Sequence, residues 1–385
     1  MGSMSRLIGL GSEGAIDRPS GTNLSALIIA TGSGATMRSS RPKPLHLLCG
    51  RPMISYVLDS LSVVGVEQAV VVTGLSGERV SKRILEDPPA FALRFVEQQL
   101  DLGSADAALV GLSGLLGTNG FDEFEDDGDV LIVPADLPLL EPAVLLALLE
   151  AHHVEGSSCT VLTVEHPSPE GRHRVLRDRH GSVIGIARDA DLVGDEVSIT
   201  EVPMSVYCVR RGLLAPAIRR VPSDPDDGTR QLIDLLGVLS ETGHRVSSAC
   251  VGDPAALTPV DNRHQLAEAE AELRRRTNRR WLDRGVTMID PERTYIDVTV
   301  ELGTDVTLFP GTILQGSTVI GDGSEIGPDT RLDRCKVGKE SVIEMSMGRL
   351  AQVGDHCRVG PYAALEPGTE VADGTITGPF FRPGV

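Results

Sequence analysis

The chain has 385 residues, more than one ordinary hydrophobic core accommodates, so we expect two domains. Acidic residues outnumber basic ones by 54 to 36, which gives a net charge of −18, and no basic stripe is interleaved with aromatic residues; both facts argue against a nucleic-acid partner. No run approaches the roughly 20 apolar residues that span a bilayer, and the six cysteines lie far apart, so we expect a cytoplasmic protein with free thiols and no membrane association.

Residues 1–22 are expected to form a disordered tail, and the first organised stretch is residues 26–45. An apolar run of strand length passes there into a loop of small residues: Ala30, Thr31, Gly32, Ser33 and Gly34. Glycines let backbone N–H groups approach an anion closely, and the basic residues Arg38 and Lys43 follow within the same stretch. This composition is typical of a phosphate-binding loop. An ordinary tight turn explains the glycines equally well.

Beyond this loop, apolar segments of strand length alternate with segments of helical periodicity. Residues 53–64 and 78–85 are predicted helices, and residues 68–72 and 93–97 are predicted strands. This alternation predicts a mostly parallel α/β sheet, whose ligands lie beyond the carboxyl ends of the strands.

Two polar positions follow predicted strands of this sheet. Gln98 leads into Gly103 and Ser104, and its amide offers the donor and the acceptor that the edge of a pyrimidine base requires. Asp136 lies at the carboxyl end of the apolar strand in segment 130–140, where one carboxylate suits a hard divalent cation such as Mg²⁺. The alternatives are a solvated glutamine and a turn-capping aspartate. The acidic run 121–129 lacks the spacing of a calcium loop and reads as a solvated surface loop.

The carboxyl-terminal part of the chain carries a six-residue repeat. Residues 264–284 form a predicted polar linker helix, and an aliphatic residue then recurs about every six positions. The repeated positions are Leu302, Leu308, Leu314, Ile320, Ile326, Leu332, Val337, Ile343, Val353, Val359, Leu365 and Val371. About a dozen such hexads make four coils of a left-handed parallel β-helix, which is expected over residues 285–385.

Three motifs resemble the sugar-1-phosphate nucleotidylyltransferases. They are residues 30–46 with their Gly-x-Gly and Pro-Lys-Pro-Leu-His segments, residues 98–107, and the Pro-Ala-Asp-Leu-Pro segment around Asp136. The pattern is most similar to the bifunctional N-acetylglucosamine-1-phosphate uridylyltransferase/glucosamine-1-phosphate acetyltransferases. The resemblance implies a Rossmann-like nucleotidyltransferase domain over residues 23–263, followed by the β-helix.

The resemblance also implies a role for each site residue. Lys43, Arg38 and the loop of residues 30–34 would bind the triphosphate of UTP, and Gln98, Gly103 and Ser104 would read uracil. Asp136 would bind Mg²⁺, with Asp261 as the second ligand, because Pro259-Val-Asp-Asn-Arg263 resembles the family's Val-Asn-Asn-Arg segment.

Several positions depart from the family pattern. Thr36 stands where the family has an arginine, which leaves Arg38 as the nearby substitute. His173, Arg188 and Pro203 fall where the family has the glycine, glutamate and asparagine that contact the N-acetyl sugar. These departures weaken the case for the family's sugar substrate.

The sequence therefore favours Mg²⁺-dependent transfer of a nucleotidyl group from a nucleoside triphosphate, most simply UTP, to a sugar-1-phosphate such as N-acetylglucosamine-1-phosphate. The alternative is a catalytically degenerate homologue that binds nucleotide or sugar phosphate, or that serves as a trimeric scaffold. Acetyl transfer is not expected, because the chain ends at Val385 and has Glu366-Pro-Gly where the family has Arg-Pro-Gly. A homotrimer is expected, since such β-helices commonly trimerise.

Overall fold

The computed structural model describes residues 23–32, 34–75, 77–115, 128–179, 181–252 and 257–382. The expected tail at residues 1–22, the loop residue Ser33 and most of the acidic run lie outside the described residues. The described chain forms an α/β domain, a long helix and a stack of short parallel strands, which confirms the expected fold class. None of its described helices has both the length and the apolar character that crossing a membrane requires.

The α/β domain is built from strands and helices that alternate along most of its length. Its strands are β1 (Leu24–Ala30), β2 (Leu47–Leu48), β3 (Arg51–Pro52), β4 (Gln68–Thr73), β5 (Ala92–Glu97), β6 (Asp129–Pro134), β7 (Cys159–Glu165), β8 (Arg174–Arg177), β9 (Val183–Ala187), β10 (Glu201–Arg210) and β11 (Val246–Val251). Its helices are α1 (Met53–Val63), α2 (Gly77–Leu85), α3 (Ser104–Leu115), α4 (Pro142–Val154), α5 (Arg211–Ile218) and α6 (Leu235–Glu241).

Seven of these strands form one sheet in the order β11-β7-β10-β6-β1-β4-β5. The sheet is mostly parallel; β10 alone runs antiparallel to its neighbours β6 and β7. Helices α1, α2 and α4 cover one face, and α3, α5 and α6 cover the other. Because the central strands are buried on both faces, their sequences are almost continuously apolar.

A single helix, α7 (Arg263–Asp283), joins the α/β domain to the β-helix. Its carboxyl-terminal half is fastened to the β-helix by Asn278, whose side-chain amide donates to the carbonyl oxygens of Pro291 at 2.8 Å and Thr294 at 2.9 Å. Near its middle, the Glu270 carboxylate accepts a 2.7 Å hydrogen bond from the backbone N–H of Cys49. The helix therefore contacts both parts of the chain.

The carboxyl-terminal part is a left-handed parallel β-helix made of three parallel sheets of five short strands each. The strands are β12 (Thr287–Met288), β13 (Tyr295–Ile296), β14 (Glu301–Leu302), β15 (Thr307–Leu308), β16 (Ile313–Gln315), β17 (Val319–Ile320), β18 (Glu325–Ile326), β19 (Arg331–Asp333), β20 (Lys336–Val337), β21 (Val342–Ile343), β22 (Met347–Arg349), β23 (Gln352–Val353), β24 (Arg358–Val359), β25 (Ala364–Leu365) and β26 (Glu370–Val371).

The hexapeptide positions form the core of the β-helix. Every repeated aliphatic residue from Leu308 to Val371 is buried, and only Leu302 is partly exposed. The twelve repeated positions make up about four coils, and a further coil precedes them, so each of the three sheets has five strands. The additional coil, residues 287–302, breaks the six-residue spacing because it contains the 3₁₀ turn Pro291–Arg293.

Candidate active site

The loops that carry the predicted site residues meet at one edge of the sheet. Ile29 near the end of β1 pairs with Pro134 at the end of β6, and Thr73 at the end of β4 pairs with Glu97 at the end of β5. Since these four strands are parallel, their carboxyl ends lie together. The loop after β1, Gln98 after β5 and Asp136 after β6 therefore line the same edge.

The loop after β1 needs its glycine for geometric reasons. Gly34 is buried with φ of +72°, and a Cβ atom there would lie 3.4 Å from the backbone nitrogen of Lys43. A left-handed φ and this close approach both disfavour any other residue. The loop thereby brings the backbone of Gly32 and Gly34 next to Lys43.

Lys43 lies at the centre of the site and joins two residues that are distant in sequence. Its Nζ lies 2.5 Å from Oδ2 of Asp136 and 2.5 Å from Oδ1 of Asp261. The lysine side chain is only 11% exposed, whereas that of Asp261 is 52% exposed. The structure therefore brings together the predicted catalytic lysine and both predicted metal ligands.

Burial and charge act against each other in this cluster. Burial alone would lower the pKa of the Lys43 ammonium, but the charges and hydrogen bonds of Asp136 and Asp261 outweigh it and raise that pKa above its ordinary value. Burial raises the pKa of the Asp136 carboxyl, although Lys43 opposes the shift. The lysine is therefore a fixed positive charge at neutral pH.

The two aspartates also suit a shared divalent cation. Both carboxylates contact one ammonium nitrogen, so their contacting oxygens are at most about 5 Å apart, close enough to bind one ion. The other carboxylate oxygen of Asp136, Oδ1, is buried and has no hydrogen-bond partner among the described residues. The residues present thus fit Mg²⁺, provided that the Lys43 ammonium withdraws from between the carboxylates.

The position of Asp261 is fixed by its neighbours. Its backbone N–H donates to Oε1 of Gln265 at 2.8 Å, and its carbonyl oxygen accepts from the hydroxyl of Thr36 at 2.5 Å. The N–H of Val260 donates to the carbonyl oxygen of Asp136 at 2.9 Å, which ties the two acidic loops together. Asn262 caps helix α7 directly after this segment.

Gln98 is a buried residue with a fixed orientation. Its Nε2 donates to Oδ2 of Asp106 at 2.8 Å and to the carbonyl oxygen of Gly103 at 3.3 Å. Both partners are acceptors, so the amide nitrogen must face them, and Oε1 has no partner among the described residues. Gly103 has φ of +92° and packs on the backbone of Arg230.

The remaining predicted residues lie around this cluster. Ser104 begins helix α3, where its hydroxyl accepts from the N–H of Leu232 at 2.9 Å and donates to Gln231 at 3.3 Å. His173 and Arg188 line a cavity of about 480 Å³ that Gln231 also lines, whereas Pro203 is not among its lining residues. Arg38 is exposed, and in the described chain its guanidinium makes no contact with the Lys43 cluster.

Sequence reasoning missed two functional positions and one local signal. It treated Thr36 only as a departure from the family pattern and gave Asp106 no role, although these residues position Asp261 and Gln98. The signal that could have been found is the capping box formed by Asn262 and Gln265 at the start of α7. The contacts of Thr36 and Asp106 carry no comparable local signature.

Comparisons with known proteins agree with this geometry. Residues 26–284 match the family model for the MobA-like NTP transferase domain. The chain is 37% identical over 355 residues to the bifunctional protein GlmU of Heliobacterium modesticaldum, an alignment covering 92% of this chain and 75% of that protein. It is 37% identical over 346 residues to the GlmU of Streptomyces avermitilis, with 90% and 70% covered, and 36% identical over 356 residues to that of Mycolicibacterium vanbaalenii, with 92% and 71% covered. The chain therefore belongs to the GlmU family, and its α/β domain is an NTP transferase domain.

Proposed function

We propose that this protein transfers a uridylyl group from UTP to a sugar-1-phosphate, giving a UDP-sugar and pyrophosphate, with Mg²⁺ as cofactor. The observation that carries the proposal is the contact of Lys43 with Asp136 and Asp261 at the carboxyl edge of an NTP transferase sheet. One buried cation and two carboxylates at such an edge suit a polyphosphate with its counter-ion.

In this reaction an oxygen of the sugar phosphate attacks the α-phosphorus of UTP while the bond to the bridging oxygen breaks and pyrophosphate leaves. Bound Mg²⁺ would supply charge neutralisation at the phosphate oxygens. The chain supplies positioning and a preorganised electrostatic field. The backbone of Thr31, Gly32 and Gly34 would bind phosphate oxygens, and Lys43 carries a positive charge toward them. Asp136 and Asp261 would hold the ion.

The orientation of Gln98 supports uracil over cytosine. Its Nε2 hydrogens are directed to Asp106 and Gly103, which leaves Oε1 as an acceptor for a base. Uracil presents an N3–H donor, whereas N3 of cytosine is itself an acceptor. A ligand donor would also give the buried Oε1 the partner that it lacks among the described residues, and burying an unpaired acceptor costs about 1–3 kcal/mol.

The cavity beside Ser104 and Gln231 is the place we assign to the sugar. Its His173 and Arg188 replace the sugar contacts that the family resemblance implies, so the sugar can differ from N-acetylglucosamine. The Arg188 guanidinium is 3.5 Å from Asp224, so its charge is partly neutralised. We take N-acetylglucosamine-1-phosphate as the first sugar to test and include other hexose-1-phosphates.

The assembly is a separate part of the proposal. We infer a homotrimer held by the β-helix, whose surface carries the exposed apolar residues Met347, Tyr362 and Phe380. Light scattering after size exclusion should then give about three times the chain mass of 40.9 kDa. A mass equal to that of one chain would contradict this inference. The expectation that acetyl transfer is absent stays a prediction, as does the cytoplasmic location.

The test is an assay of pyrophosphate release from four nucleoside triphosphates, each combined with several sugar-1-phosphates, with and without Mg²⁺. We expect release that requires both UTP and a sugar phosphate. Asp136→Asn should lower the rate about 100- to 1,000-fold, because one electrostatic group at the reacting phosphate is lost. Asp195→Asn, at an exposed aspartate far along the chain from this cluster, is the matched control and should keep full activity.

The same assay distinguishes the proposed enzyme from a catalytically degenerate homologue that only binds its ligands. A binding-only protein would release no pyrophosphate with any pair of substrates, yet UTP would still raise its melting temperature. Equal activity of the Asp136→Asn and wild-type proteins would remove Asp136 from the mechanism.

A further inference from the structure

A second group of potential ligands lies at the opposite edge of the sheet from the nucleotide site. It consists of Asp129, His152 and Cys208, whose side chains have a ligand atom each within 4.8 Å of the others. All three residues are buried, with exposures of 6%, 2% and 0%. Nothing in the proposed nucleotidyl transfer uses them.

The fold holds these residues on one face of the sheet. Asp129 is the first residue of β6, and Cys208 on β10 pairs with Leu131, two residues further along β6. Residues two apart in a strand point to the same face, so Asp129 and Cys208 share the face that α4 covers. The last turn of α4 places His152 over them.

The imidazole of His152 is oriented toward this group. Its Nδ1 lies 2.9 Å from the hydroxyl of Thr160, which in turn lies 2.8 Å from that of Ser247. Its Nε2 is buried without a hydrogen-bond partner in the described part of the chain, and its 3.4 Å approach to Oδ1 of Asp129 lacks hydrogen-bond geometry. A hydroxyl beside one ring nitrogen, with the other nitrogen directed at the group, is the arrangement of a metal-binding histidine with its supporting partner.

We propose that Asp129, His152 and Cys208 bind a zinc ion. A thiolate, an imidazole and a carboxylate suit Zn²⁺, whereas Mg²⁺ and Ca²⁺ select oxygen ligands. His153 lies outside this group, but its Nε2 is 2.8 Å from Oδ2 of Asp129 and its side chain is 34% exposed, so we assign it the fourth position after a side-chain rotation. On binding, the Cys208 thiol releases its proton to solvent and a Zn–S bond forms.

The spacing requires only small side-chain adjustments. Tetrahedral bonds of about 2.0–2.3 Å place ligands of one zinc ion about 3.3–3.8 Å apart. The observed limit of 4.8 Å exceeds this by roughly 1 Å, which rotation about the side-chain torsions can supply.

The zinc site would be structural. Asp129 and Asp136 are seven residues apart along β6 and its continuation, which at ~3.3 Å per residue separates the two sites by roughly 20 Å. The ion would fasten the end of α4 to β6 and β10, far from the reacting phosphates. If no zinc binds, Asp129 serves only to anchor α4 through its contacts with His152 and His153. The test below distinguishes a zinc site from such an anchoring contact.

The test is a titration of the full-length, chelator-treated protein with Co²⁺ and then Zn²⁺. We expect one Co²⁺ per chain to bind with the thiolate-to-cobalt charge-transfer absorption and the intense visible bands of a tetrahedral ion, and this ion to be displaced by one equivalent of Zn²⁺. Asp136 and Asp261 contribute no thiolate, so an ion at the nucleotide site cannot give the charge-transfer band.

The matched pair of variants is Cys208→Ala and Cys159→Ala. Both cysteines are fully buried on neighbouring strands, but Cys159 belongs to the core on the other face of the sheet. We expect the charge-transfer band to vanish in Cys208→Ala and to persist in Cys159→Ala. Thr160→Val should weaken zinc binding about 10- to 100-fold while the band is kept, since it removes only the partner of Nδ1.

His153→Ala is a second variant that should fold normally, because this side chain is partly exposed. It should weaken Zn²⁺ binding at least tenfold and leave the thiolate band in place. A wild-type protein that binds no Co²⁺ with a thiolate band overturns the proposal, and so does a band that survives Cys208→Ala. None of these readouts depends on nucleotidyl transfer.

Discussion

The hydroxyl of Thr36 donates a 2.5 Å hydrogen bond to the backbone carbonyl oxygen of Asp261, across 225 residues of sequence. Thr36 is the position at which the family resemblance implies an arginine directed to phosphate. In this chain the side chain instead supports the loop of a potential metal ligand. The substitution thus replaces a phosphate contact by a contact within the protein.

The first prediction follows from this bond. Thr36→Val should lower kcat/KM for nucleotidyl transfer about fivefold, since one neutral hydrogen bond contributes about 1 kcal/mol. Thr36→Ser keeps the hydroxyl and should stay close to the wild-type value. Steady-state kinetics at several Mg²⁺ concentrations would measure both variants. Equal rates for the valine and serine variants would show that the bond does not position Asp261.

The second prediction concerns the choice of base. Asp106→Ala removes an acceptor that fixes the amide of Gln98, so the amide can turn and offer its N–H₂ group to a base. The preference for UTP over CTP, measured as a ratio of kcat/KM values, should fall about tenfold, which corresponds to about 1.4 kcal/mol. Asp101→Ala, at an exposed position in the segment between Gln98 and Asp106, is the control and should leave the ratio unchanged. An unchanged ratio in Asp106→Ala would remove Gln98 from base selection.

The third prediction is a pH dependence of stability that arises from His46. This buried side chain has its pKa lowered below 6.5 by burial and by the charges of Arg263 and Arg41. Below pH 6.5 the unfolded chain therefore takes up a proton that the folded chain does not. The free energy of unfolding should fall as the pH drops through 6.5 and level off below the folded-state pKa.

Urea unfolding at pH 8, 7, 6 and 5 would measure this effect. Between pH 8 and pH 5 the wild-type protein should lose more stability than His46→Gln, which has no titrating group at this position. His264→Gln, at a histidine whose side chain is 85% exposed, is the control for the substitution itself. Parallel profiles for the wild-type and His46→Gln proteins would contradict the prediction.

The fourth prediction tests the β-helix core. Gly348 on β22 points inward, and a Cβ atom there would lie 3.0 Å from Cδ2 of Leu332 and 3.2 Å from Sγ of Cys335. Gly348→Val should therefore lower the free energy of unfolding by about 1–3 kcal/mol through overpacking. Gln352→Val, at an exposed position of the next strand, β23, should change it by less than about 0.5 kcal/mol. Thermal unfolding of both variants would decide.

The fold could be predicted from the sequence largely because its two patterns are periodic. Buried parallel strands read as apolar runs, and the β-helix repeats every six residues over most of its length. The six-residue repeat gives no signal at the places in the β-helix where the period is broken. The first coil contains the turn at Pro291, and Gly348 occupies an inward position without an aliphatic side chain to mark it.

The site was predictable only in part, for a different physical reason. Lys43, Asp136 and Asp261 were identified by motif, and the structure brings them together. The direct contacts between their charged groups could not be predicted from the sequence, since Asp136 and Asp261 lie 93 and 218 positions from Lys43. The role of Thr36 likewise depends on a contact with the distant residue Asp261, and that of Asp106 on the orientation of the Gln98 amide.

Helix α7 links the two parts of the chain through fixed contacts at both ends. Asn262 caps the helix beside Asp261. Asn278, sixteen positions after Asn262, donates a hydrogen bond to the β-helix. Each residue of an α-helix turns the chain by about 100° and advances it by 1.5 Å. One residue inserted between these asparagines would rotate the β-helix contacts off their partners, so the length of this segment sets the angular register between the catalytic edge and the β-helix.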